Sequence, residues 1–133
     1  MLDNVTDLRT YFTSNKKDKK AFDKAMKRRA RYGLAWCDTW NFDRYLLTII
    51  IRGLRQLGET THGCPINMEY EEWQRYLYSL ADKFDNAQRK VYDDECCYSN
   101  LSAEEKIKKN EEGTQELKEV FVELAEHLPE FWD

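Results

Sequence analysis

WNFDRYLLTIIIRGLRQL, residues 40–57, is the stretch on which the fold turns. Laid out at about 100° per residue, Trp40, Leu46, Leu47, Ile49, Ile50, Ile51, Leu54 and Leu57 fill one broad arc, while Arg44, Thr48, Arg52 and Arg55 take the other side. That is the pattern of an amphipathic helix with a wide buried face. Asp43 falls near the middle of the apolar arc, one turn after Trp40 and one before Leu47. A carboxylate aimed into a core is costly unless it is partnered. The sequence therefore expects Asp43 to be buried, either paired with Arg31, Arg44 or Arg52 or bonded by Trp40 or Tyr45. A metal-binding or catalytic role is the sharper alternative, since perturbed carboxylates gather at functional sites.

The neighbouring segments read as helices too. Upstream, Thr6 is expected to cap a short turn through Phe12. A helix from about Asp18 to Tyr32 follows, with Phe22, Met26 and Ala30 as its apolar stripe and Gly33 as its stop. Asp38 or Thr39 is placed to cap the apolar helix, and Gly58 to close it. The connection ETTHGCPIN, residues 59–67, is a loop by composition. A third helix runs from near Met68 to Tyr92 on the stripe Trp73, Leu77, Leu80, Phe84, Ala87 and Val91. Asp93 to Asn100 is a polar tip. Ser102 and Glu105 then form a capping box for a last helix carrying Leu117, Val120, Phe121, Leu124 and Leu128. Gly113 is a candidate break, Pro129 a stop, and Phe131-Trp132 a terminal apolar plug. The fold expected is all-α, an antiparallel bundle of about four main helices. It forms one helical domain over residues 1–133, with 1–15 flexible and 93–113 a variable segment.

Four Trp and an aromatic share of 14% argue for a packed core rather than disorder. No apolar run reaches membrane-spanning length, and the first residues lack the pattern of a secretory signal. A cytoplasmic setting is expected, with Cys37, Cys64, Cys96 and Cys97 as free thiols. Their spacing is not that of zinc ligands, although His62, Cys64, Cys96 and Cys97 could be imagined around one ion. Charge is uneven. Residues 16–31 hold nine Lys or Arg against Asp18 and Asp23, and residues 111–133 hold eight acids against Lys118. Such asymmetry suits a charged partner, or mutual attraction of the two segments. The acidic total of −4 disfavours nucleic acid.

Catalytic grammar is sparse. No phosphate loop, nucleophile elbow or HExxH motif occurs, so no cofactor and no resident metal are expected. Glu69/Glu72, Asp82/Asp85 and Glu123/Glu126 do imitate the ExxE and ExxD pairs of all-α enzymes that hydrolyse nucleotides with Mg²⁺, a hard cation suited to carboxylates. His127 lies near a helix C-terminus, where a cation is favoured. If a pocket exists, the two loops flanking the apolar helix are expected to hold it. Those loops bring Arg31, Trp36, His62 and Cys64 as binding candidates, and Lys24, Lys27 and Arg28 add a basic face for a partner.

Taken together, RYG (31–33), DTWNFDRYLLTIIIRGLRQL (38–57), THGCP (61–65) and EEWQRYLYSLADKF (71–84) resemble a widespread set of small bacteriophage and prophage proteins. Members of that set carry W-x-[LF]-D-x-x-[LI] in an apolar helix, a [TA]-H-G-x-P loop, an E-x-W-x-x-x-L helix and a C-terminal Leu-Trp-Asp. Trp40, Asp43, His62, Gly63, Pro65 and Trp73 match, and Phe131 stands in place of the Leu. The resemblance covers residues 28–92 and 115–133. It implies a phage-encoded protein in the cytoplasm of an infected host, and no settled activity. The function expected is non-covalent binding of a host or phage protein, most concretely inhibition of a host defence or host enzyme. A Mg²⁺-dependent nucleotide pyrophosphohydrolase and a virion structural or assembly protein are the alternatives. The oligomeric state is open, a homodimer included.

Overall fold

The computed structural model describes residues 16–92 and 100–132. Over these residues the protein is all-α, a helical bundle in class, with four main helices: α1 (Lys16–Tyr32), α2 (Phe42–Thr60), α3 (Tyr70–Tyr92) and α4 (Ala103–His127). Short 3₁₀ turns at Trp36–Thr39 and Leu128–Glu130 complete it. No described helix is long and apolar enough to cross a membrane. The turn expected at Thr6 and the pair Cys96 and Cys97 lie outside the described residues. The chain divides into two compact units, Met1–Ile49 and Ile50–Asp133.

In the first unit, α1 ends where its sequence says it should. Gly33 takes φ +82 and its N–H closes on the Arg29 carbonyl at 2.9 Å, a left-handed conformation that glycine adopts without strain. The buried face of α1 is rotated from the expected stripe. Ala25 is fully buried, with Phe22 and Met26 packed against the cluster Ala25, Ala35 and Cys37, whereas Ala30 is exposed.

The second unit contains the rest of α2 with α3 and α4. α3 buries Trp73, Leu77, Leu80, Ala81, Phe84 and Ala87, the expected stripe with Ala81 added and without Val91 at its end, which is half-buried. Its contacts with α4 run in reverse order. Asn110 Nδ2 donates to the Val91 carbonyl at 3.3 Å, Phe121 meets Phe84 edge-on at 5.1 Å, and Phe131 stacks on Trp73 at 5.9 Å. The two helices are therefore antiparallel. Gly113 does not break α4. A Cβ there would stand 2.6 Å from Lys90 Cβ and 2.8 Å from Val91 Cγ2, so this glycine lets the helices approach closely. α2 likewise runs past Gly58 to Thr60, and Gln74 Nε2 donates to the Gly58 carbonyl at 2.6 Å. The capping box at α4 forms as expected, with Glu105 N–H donating to Ser102 Oγ at 3.2 Å and Ser102 N–H donating to Glu105 Oε2 at 2.7 Å.

Candidate protein-binding site

Asp43 is not in the core. It is exposed, in the first turn of α2. The helix begins at Phe42, so Asp43 stands beside the free N–H groups of the first turn, where a carboxylate complements the helix dipole. The arc it belongs to is buried only further along, at Leu47, Ile51 and Leu54, while Trp40, Leu46 and Ile49 are exposed.

The buried carboxylate is Asp38. Its side chain is 3% exposed and that of its partner Arg29 is 9%. Arg29 Nη2 pairs with Asp38 Oδ1, and Arg29 Nε donates to Asp38 Oδ2 at 3.1 Å. The same Oδ2 accepts the Ala35 N–H at 2.7 Å. This is the return half of a capping box, serving the turn Trp36–Thr39 rather than α2. Ala35 has no side-chain acceptor to supply the other half. Tyr45 covers the pair: its ring centroid lies 5.3 Å from the Arg29 guanidinium, and its hydroxyl donates to the Gly33 carbonyl. Burial lowers the Arg29 pKa, but the bond and charge of Asp38 outweigh it and leave the group above its ordinary value. Burial first, and then the Asp38 charge, raise the thiol of Cys37 and the phenol of Tyr45.

This bidentate, hydrogen-bonded pair fixes the segment that follows Gly33. On it the protein displays aromatic side chains. Trp36 is 44% exposed and Trp40 57%, with ring centroids 4.7 Å apart in an edge-to-face arrangement. Thr39 Oγ1 donates to the Trp36 carbonyl at 2.7 Å inside the same turn. Tyr32 is also exposed, with the guanidinium groups of Arg28 and Arg31 at 5.5 and 5.2 Å from its ring centroid. Lys24, Lys27, Arg28 and Arg31 all lie exposed on α1.

His62 and Cys64 fall in the second unit. His62 is exposed and Cys64 half-buried. Thr61 organises their loop: it is buried, its hydroxyl donates to the Gly63 carbonyl at 2.9 Å, and its own carbonyl accepts from Tyr70 Oη at 2.8 Å. Gly63, Cys64, Pro65, Glu130 and Trp132 line a cavity of only about 30 Å³. The two loops flanking α2 belong to different units.

Three of the six carboxylates that imitate a Mg²⁺ site, Asp82, Asp85 and Glu123, are engaged by cations. Arg55 reaches Asp82 at 3.1 Å and Asp85 at 3.7 Å, and Lys83 reaches Glu123 at 3.0 Å. Glu123 also accepts from Tyr76 Oη at 3.0 Å. Among the described residues no group of three or more His, Cys, Asp or Glu side chains is placed to hold a metal ion. No family model matches this chain, and neither curated proteins nor solved structures gave a match.

Proposed function

We propose that this protein is a small accessory protein that works by binding another protein non-covalently, and that the face around Trp36 and Trp40 is its binding surface. The observation that carries this reading is the exposed tryptophan pair on a turn braced by a buried ion pair. Exposed tryptophans on a fixed backbone are the anchors from which interfaces draw most of their energy, because a large, stiff side chain loses little entropy on docking. Tyr32, Leu34 and Phe42 extend the exposed apolar surface on either side. The resemblance to small phage proteins suggests an infected bacterial cell as the setting. Blocking a host defence or host enzyme is then the concrete form of the activity.

The test is capture from host lysate by the wild-type protein and by a Trp36→Ala/Trp40→Ala variant, side by side. The expected result is a stoichiometric partner held by the wild type and lost at least tenfold by the variant, with the melting temperature of the variant unchanged. Equal capture by both would remove the aromatic turn from the binding surface.

A further inference from the structure

The two compact units carry opposite charge. Met1–Ile49 has 11 Lys and Arg against 6 Asp and Glu, a net +5, and Ile50–Asp133 has 10 against 19, a net −9. In each, part of the charge is laid out as a row. Lys20, Lys24, Lys27 and Arg31 recur at intervals of four, three and four on α1 and are all exposed. This is the spacing of one helix face, about 16 Å long at 1.5 Å per residue. Glu112, Glu119 and Glu126 recur every seven residues on α4 and are all exposed, a row of about 21 Å by the same rise. Each row has an exposed apolar side chain beside it. Tyr32 follows Arg31 at the end of α1, and Val122 stands between Glu119 and Glu126; both are 59% exposed.

We propose that a second copy of this chain covers these rows, the basic face of α1 in one protomer lying along the acidic face of α4 in the other. Both halves of the contact are present in one sequence, opposite in sign and close in length. In a twofold dimer, the commonest closed symmetry, each protomer offers both a basic and an acidic row, so the contact is available twice. Repetition matters because single exposed ion pairs contribute little, whereas two multi-charge contacts add up. Such an interface is screened by salt over a Debye length.

Sedimentation and light scattering of the full chain, from about 50 to about 500 mM salt, test this directly. At low salt the apparent mass is expected to be twice the 16.0 kDa of one chain, falling to the single value at high salt. Lys24→Glu/Lys27→Glu/Arg31→Glu abolishes the dimer, and adding Glu112→Lys/Glu119→Lys/Glu126→Lys to the same chain restores it. Neutral Lys24→Gln/Lys27→Gln/Arg31→Gln serves if the reversed chain does not fold, and lowers the association at least tenfold. A monomer at every salt concentration, or a dimer indifferent to these substitutions, overturns the proposal.

Discussion

At the scale of single residues, two aspartates five positions apart exchange their expected roles. Asp43 lies on an apolar arc and is exposed in the first turn of α2; Asp38 lies in an unremarkable linker and is buried against Arg29. Removing one member of a buried pair strands the other, at about 3–5 kcal/mol. Asp38→Ala is therefore expected to lower unfolding stability by that order, and Asp43→Ala by about 0.3–1 kcal/mol through the lost helix-end interaction. Denaturant unfolding of the two variants checks this, and equal losses would show that Asp38 is not the brace. A signal for the pair did exist in the sequence. Arg29 follows Phe22 and Ala25 at helical spacing, so it falls on the buried face of α1. Its partner could not be read in the same way, because no periodicity orders the linker and only the turn Trp36–Thr39 aims Asp38 at Arg29.

At the scale of elements, the helices were legible where apolar spacing is regular. α3 matches its stripe closely, and the Ser102 cap sets the start of α4. Gly33 stops α1 as expected, but Gly58 and Gly113 were misleading, since a sequence does not distinguish a glycine that breaks a helix from one that lets two helices touch. Gly113→Ala tests that distinction. A Cβ at 2.6 Å from Lys90 Cβ has to push α3 and α4 apart, so the variant is expected to lose about 1–3 kcal/mol despite the better helix propensity of alanine. A gain in stability would mean that the helices yield. The same pair of helices sets a pH dependence. Burial raises the Glu123 pKa, but the bonds from Lys83 and Tyr76 outweigh it and leave the carboxyl below its usual value. Its contribution is complete above about pH 4.5 and is lost as pH falls below that. Burial, the bond donated to Glu123 and nearby glutamate charge push the Tyr76 phenol above its ordinary range. Tyr76 thus stabilises the fold fully well below pH 10, about which the unfolded phenol ionises, and less as pH rises through that value. Tyr76→Phe is expected to flatten the alkaline limb of a stability–pH curve. An unchanged alkaline limb would show that another group sets it.

At the scale of the whole molecule, the division of charge and apolar surface suggests two uses of the exterior. The charged rows of α1 and α4 suit self-association, and the aromatic turn between α1 and α2 suits an external partner. Composition foreshadowed the charge asymmetry, because it is a property of segments. The aromatic surface was legible only in part: Trp36 stands out as a binding candidate in its loop, whereas Trp40 lies on the apolar arc of α2 and reads as a core residue, although it is 57% exposed. The most direct test of the binding surface is a hydrogen-exchange footprint of the complex isolated from host lysate, compared with the free protein. Protection concentrated over Tyr32–Phe42, with the rest of the chain unchanged, is the result expected. Protection confined to the Thr61–Pro65 loop or to the outer face of α3, with Tyr32–Phe42 exchanging as in the free protein, would contradict the assignment.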